Sequence, residues 1–196
     1  THSGGRGTRI HWAKTMQAAA RQDGDILSLP RMQRKPQSLP LLILVDISGS
    51  MERYARLLLA FLHQATRDTP RQVCAFGTDL TDLNRAFKLR DTDDMLATAN
   101  AQIHDFAGGT QLGKSLSQFR TRHARALTGR RTVVLLISDG LDTGTPETLD
   151  SELVWLKRHT RSLLWLNPLL RFEGYAPIAT GASVLNRHVD GMLAIH

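Results

Sequence analysis

A chain of 196 residues, 41% hydrophobic and 22% charged, has the length and composition of one globular domain or slightly more. No apolar run approaches the roughly 18 residues that cross a bilayer, so a membrane span is excluded and a soluble protein is expected. The net charge of +7 is concentrated: residues 1–40 hold seven Lys and Arg against Asp23 and Asp25, and residues 111–138 hold six and no acid. No aromatic residues interleave with these arginines as a base-stacking platform requires, which favours a solvated basic face over a nucleic-acid surface. The single cysteine, Cys74, lies in the apolar run VCAF, where a buried inert thiol and a reducing, cytoplasmic setting are expected. A first residue of Thr1 rather than methionine points to a processed or trimmed product.

In chain order, Arg9 to Gln22 reads as a short helix with Ile10, Ala13, Met16, Gln17 and Ala20 near one side. The following ILSLPRMQRKPQSLP carries three prolines and suits an edge strand or connector. Leu41 to Val45 is a continuous aliphatic run of the kind buried on both faces of a parallel sheet. After it, Tyr54, Leu57, Leu58, Phe61, Leu62 and Ala65 form one apolar stripe at helical spacing. RQVCAFG and NRAFKL read as two strands joined by TDLTD, a hairpin that puts one antiparallel strand at the sheet edge. Met95, Leu96, Ala99, Ile103 and Phe106 mark a helix ending at Gly108 and Gly109, and a further helix beyond Thr110 turns Leu112, Leu116, Phe119, His123 and Leu127 inward. TVVLLISDG is a second buried strand, Thr145 and Pro146 are the cap and first residue of another helix, and SLLWLNP and VDGMLAIH supply the last strands. Trp12, Trp155 and Trp165 are read as packing residues and His123 as a packed histidine. The alternation of strands and helices predicts an α/β fold, a doubly wound, mostly parallel sheet flanked by helices, over residues 39–196, with residues 1–38 forming a helix and connector.

Ligands of open α/β sheets bind beyond the carboxyl ends of the strands, so the polar residues that stop the apolar runs are the ones to weigh. Two runs stop at carboxylates, Asp46 and Asp139. Ser48 and Ser50 follow the first, Ser138 precedes the second, and Thr110 follows two glycines in AGGT. Taken singly, each is accounted for as a turn residue or helix cap. Taken together, Asp46, Ser48, Ser50, Thr110 and Asp139 supply oxygen donors from three loops at one edge, the donor type that hard divalent cations select. Asp142 is assigned to its own turn.

DISGS, Thr110 and Asp139 resemble, in order and spacing, the metal-ion-dependent adhesion site (MIDAS) of von Willebrand factor type A (VWA) domains. LPRMQRKPQ, FAGGTQLGKSLSQF, VVLLISDGLDTGTPETLDSEL, LLWLNP and VDGMLAIH are similar to the CoxE-like branch of that family, over nearly the whole chain. The resemblance implies a VWA fold and Mg2+, or Ca2+ or Mn2+, held through the two serines and the threonine, with the aspartates orienting water. It also implies a carboxylate supplied by a MoxR-type AAA+ ATPase, and a client metalloenzyme whose active site is matured, such as molybdenum-copper carbon monoxide dehydrogenase. Members carry a further N-terminal segment, of which residues 1–38 would be the remnant.

The expected function is therefore a non-catalytic, metal-dependent protein-binding module, whose binding Asp46→Ala or Thr110→Ala abolishes while leaving the fold intact. Two alternatives stand beside it. A metal-dependent hydrolase or phosphotransferase would use the same ion, although the sequence has no GxSxG nucleophile elbow. A basic nucleic-acid-binding domain would use Lys114, Arg120, Arg122 and Arg125.

Overall fold

The computed structural model of the protein describes residues 2–3, 9–21, 29–33, 38–103, 109–127, 129–172 and 174–195. It divides into two compact units, Thr1–Ser38 and Leu39–His196. In the first, strands β1 (His2–Ser3), β2 (Arg9–Ile10) and β3 (Arg31–Gln33) form an antiparallel sheet in the order β1-β3-β2. The proline-flanked stretch thus supplies a central strand rather than an edge or a connector. Helix α1 is shorter than the periodicity predicts, Trp12–Ala20, because Arg9 and Ile10 pair with β3 and His11 then caps the first turn. The His11 imidazole accepts from the Lys14 amide at 3.3 Å, and the His11 amide donates to the Pro30 carbonyl at 2.7 Å. Its buried side carries Thr15 and Ala19, not the expected stripe. Met16 is 53% and Trp12 59% exposed, so Trp12 is not a core residue.

In the second unit, six strands take the order β6-β5-β4-β7-β8-β9. They are β4 (Leu41–Asp46), β5 (Arg71–Phe76), β6 (Leu80–Asp82), β7 (Val133–Ile137), β8 (Ser162–Asn167) and β9 (Gly191–Ala194). All neighbours pair parallel except β6, which runs antiparallel to β5 at the edge. Because consecutive side chains of a strand point to opposite faces, β4 feeds two cores. Leu42 and Leu44 join Cys74, Phe76, Leu136, Trp165 and residues of α4 (Leu112–Leu127), α5 (Pro146–His159) and α6 (Thr180–His188). Ile43 and Val45 join Val73, Ala75, Ile137 and residues of α2 (Glu52–Ala65) and α3 (Thr92–Gln102). Burial pushes the Cys74 thiol up to about 12, leaving it a buried apolar-like group.

Four local expectations change. The hairpin forms, but its returning strand is Leu80–Asp82. NRAFKL instead makes a turn and a 3-10 segment, because the Asn84 side chain accepts from the Val73 amide at 3.0 Å and Ala86 and Phe87 turn into the core. On α2 the buried residues are Ala55, Leu58, Leu59, Leu62 and His63, a face rotated from the predicted one. The polar His63 goes inside because both ring nitrogens find partners, Leu89 O at 2.8 Å and Thr92 Oγ1 at 3.2 Å. Leu57 and Phe61 are left 73% and 64% exposed. Helix α3 ends at Gln102, with Ile103 already extended, whereas Phe106 and Gly108 lie outside the described residues. Finally, α6 falls in GYAPIATGASVLNRH, a stretch whose glycine, proline and small residues conceal a nine-residue helix. Thr145 does occupy the cap position of α5, but its hydroxyl donates to Thr148 Oγ1 at 2.7 Å instead of accepting from a backbone amide.

The chain passes from β4 to β5 on one side, and β7 lies on the other. The switch in strand order therefore falls between β4 and β7, and their carboxyl ends carry Asp46 and the Ser138–Asp139 pair.

Candidate metal centre

The apolar strand β4 delivers Asp46 to the sheet edge fully buried, and the backbone beyond it folds back on the carboxylate. Asp46 Oδ1 accepts from the Ser48 amide at 2.9 Å, which makes the turn that aims Ser48 and Ser50 along the same edge. Oδ2 accepts from the Ser138 hydroxyl at 2.7 Å, and that hydroxyl accepts from the Gly140 amide at 2.9 Å. The Ser48 and Ser50 hydroxyls lie 3.3 Å apart, and Thr110 Oγ1 lies 3.5 Å from Asp46 Oδ1. Asp139 Oδ1 accepts from the Leu141 amide at 3.0 Å. Ser48, Thr110, Ser138 and Asp139 are all buried, and Ser50 is exposed, so the cluster opens to solvent on that side.

Burial raises the Asp46 carboxyl to about 6. Hydrogen bonds from Ser48 and Ser138 pull against that rise, and the neighbouring Asp139 charge adds to it. Neither Asp46 nor Asp139 forms an ion pair with lysine or arginine among the described residues. Buried carboxylates in proteins are ordinarily matched by a cation or a metal, and the partners of these two among the described residues are hydroxyls and backbone amides. Adjacent ligands around an octahedral Mg2+ stand about 3 Å apart, so hydroxyl and carboxylate oxygens at 3.3 and 3.5 Å suit a hard divalent cation. Among the described residues no group of three His, Cys, Asp or Glu could hold a metal.

The loops are held by residues that the sequence reading left out of the site. Asp142 does more than close its turn: Oδ1 accepts from the Gly144 amide and from the Leu112 amide that begins α4, both at 3.1 Å. Thr143 donates its amide and its hydroxyl to the Thr110 carbonyl, each at 2.8 Å. The Gln111 amide donates to Gly77 O at 2.8 Å, which ties the same loop to the end of β5. Below Ser138, the buried Trp165 donates its indole N–H to the Ser138 carbonyl at 2.8 Å. For Asp142 the nearness to DG in the sequence was the available signal, but a turn reading absorbed it. Trp165→Phe removes that donor and leaves a buried carbonyl unpaired, with an expected loss of about 2–3 kcal/mol in urea denaturation. An unchanged midpoint would show that the indole bond contributes nothing.

His123 is half-buried, stacked on Phe119 at 5.9 Å and 3.8 Å from Asp82, away from the cluster. On the basic helix, Lys114 pairs with Asp79 at 2.9 Å, and Arg120 pairs with Glu152 at 3.0 Å. Arg122 is exposed, and the Arg125 side chain lies outside the described residues.

The family model described as VWA domain containing CoxE-like protein matches residues 1–196. The chain belongs to that family. Structures similar to this CoxE-like chain include proximal thread matrix protein 1 from the mussel byssus, at 14% identity and a TM-score of 0.56 over 83% of this chain and 45% of that one. A form of the same mussel protein with a zinc-occupied MIDAS motif matches at 15% identity and 0.53, over 83% and 46%. A von Willebrand factor type A protein from Catenulispora acidiphila matches at 15% identity and 0.53, over 83% and 39%. The CoxE-like chain thus spans less than half the length of these structures, and the likeness shows a shared VWA fold. No curated protein matches it. Among the described residues no helix is long and apolar enough to cross a membrane.

Proposed function

We propose that this CoxE-like protein is a non-catalytic docking module whose Asp46, Ser48, Ser50, Thr110 and Asp139 hold a divalent cation, Mg2+ or else Ca2+ or Mn2+. The partner in this reading is a MoxR-type AAA+ ATPase that offers a carboxylate, and the client is a metalloenzyme undergoing active-site maturation, for example a molybdenum-copper carbon monoxide dehydrogenase. The observation that carries the reading is the convergence at one sheet edge of three hydroxyls and two carboxylates that have no lysine or arginine partner among the described residues. A bound cation would supply Lewis acidity toward one further carboxylate. The protein's own residues set the stage for it: Ser138 and the Ser48 amide fix the Asp46 rotamer, and Thr143 and Asp142 hold the Thr110 loop. Family membership and the zinc-occupied MIDAS motif of the mussel structure support the assignment.

The test is direct binding of a purified MoxR-type ATPase from the same organism to the 196-residue chain, in Mg2+ and in EDTA. Thr110→Ala or chelator is expected to weaken binding at least tenfold. Binding indifferent to both would sink the proposal.

A further inference from the structure

Helix α2 starts two residues beyond Ser50, and its solvent side carries two large apolar side chains among its polar ones. Arg53, Leu57 and Phe61 recur at intervals of four, which lines them up in one column along the helix, and all three are exposed. The column is about 12 Å long, two to three helical turns. Its upper end is extended from a second element. Arg171, in the 3-10 segment that follows β8 at the same sheet edge, donates to the Tyr54 hydroxyl at 2.8 Å. The Arg171 guanidinium lies 5.3 Å from the Tyr54 ring and 4.8 Å from that of Phe172, which is 52% exposed. Neither Arg53 nor Arg171 forms an ion pair among the described residues. The surface is therefore graded: Arg53, three residues beyond Ser50, and Arg171 on Tyr54, neither in an ion pair among the described residues, then two large apolar side chains further along the helix.

We infer that this stripe, Arg53, Leu57, Phe61, Arg171 and Phe172, is the second half of the docking surface. It receives an acidic amphipathic helix of the partner, which sets carboxylates against the two arginines and apolar side chains against Leu57 and Phe61. The inference rests on the function proposed above, since the same partner supplies the carboxylate for the cation. Charge complementarity selects the occupant. A basic or neutral helix would leave Arg53 and Arg171 unpaired where contact removes water, a cost that an acidic one avoids. Exposed apolar side chains of this size next to a charged rim are what interaction surfaces present.

The experiment uses the 196-residue chain and the same purified ATPase, with wild type, Leu57→Asp/Phe61→Asp and Arg53→Glu/Arg171→Glu compared in Mg2+. Both double variants are expected to bind at least tenfold more weakly while keeping the wild-type melting shift on adding Mg2+, because the substituted side chains are exposed and outside the oxygen cluster. Wild-type affinity in Leu57→Asp/Phe61→Asp would overturn the stripe and leave the metal-dependent reading standing. Wild-type affinity in the charge-reversed variant would overturn the acidic character of the partner helix. Failure of the wild-type chain to bind the ATPase in Mg2+ would overturn both readings.

Discussion

Mg2+ at about a hundred times its dissociation constant raises the melting temperature of the wild-type chain by roughly 5–10 °C, the expected result for a ligand that binds only the folded state of a domain this size. The choice of substitution decides what the measurement means. Asp46→Ala is expected to abolish the shift and also to destabilise the fold that the sequence reading expects it to leave intact. It strips the acceptors of the Ser48 amide and the Ser138 hydroxyl in a fully buried setting, at a cost of about 2–4 kcal/mol before any metal is added. Asp46→Asn keeps an acceptor for the Ser48 amide and can donate to the Ser138 hydroxyl, so it removes the charge with less damage. Thr110→Val is cleaner still. The Thr110 side chain is buried and among the described residues its hydroxyl has one long contact, 3.5 Å to Asp46, so the isosteric swap removes the proposed cation donor and little else. The expected outcome is a metal-free melting temperature near wild type for Thr110→Val and loss of the Mg2+ shift in both variants. A full shift in Thr110→Val, or none in the wild type with Mg2+, Mn2+ or Ca2+, would remove Thr110 from the site or the site from the molecule.

The second large effect comes from two glycines that let α6 meet the loop after β7. Gly140 sits at φ +82°, where a Cβ is strained in any case, and that Cβ would lie 2.8 Å from Trp165 Cζ2 and 2.9 Å from Ala182 Cβ. A Cβ on Gly181 would lie 2.6 Å from Asp142 Cβ and 2.8 Å from Gly140 O. Apart from the ring of the fully buried Trp165, those neighbours are backbone or the root of a side chain, so relief requires the helix and the loop to part. Gly140→Ala and Gly181→Ala are each expected to cost about 2–4 kcal/mol, a drop of roughly 5–15 °C in melting temperature. Because Asp139, Asp142 and Thr143 ride on that loop, Mg2+ affinity should fall in the same variants, although neither glycine belongs to the oxygen set. Gly181→Ala with wild-type melting and wild-type metal response would show that α6 and the loop can separate freely.

The sheet and the oxygen cluster were legible in the sequence because both rest on strong local signals. LLILVD and VVLLIS are long enough and apolar enough to be buried parallel strands, and their carboxylates must then emerge at the edge. Less legible was everything settled by partners remote in sequence. His63 turns inward because Leu89 and Thr92 wait for it, which rotates α2 by about one residue and puts Leu57 and Phe61 outside. Asn84 bonds the Val73 amide and converts an expected strand into a turn. Helix α6 is built of small residues because it packs on Gly140 and Asp142, so the feature that fits it to the site is the one that hides its helical period. Asp142 reads as a turn residue from its neighbours alone. Its second bond, to the start of α4, depends on a loop thirty residues earlier.

Trp165 carries one more consequence. Of the three tryptophans, Trp12 is exposed in the other unit, and Trp155 is half-buried against His159, with ring centroids 4.6 Å apart, the sort of neighbour that quenches emission. Trp165 is completely buried, and its indole is bonded to the peptide that joins Ser138 to Asp139. The domain therefore houses a chromophore wired to the strand end that carries the candidate centre, shielded from bulk solvent. Red-edge light from exposed indole can be separated from the blue component of Trp165, so the state of that strand end is readable optically without attaching a label.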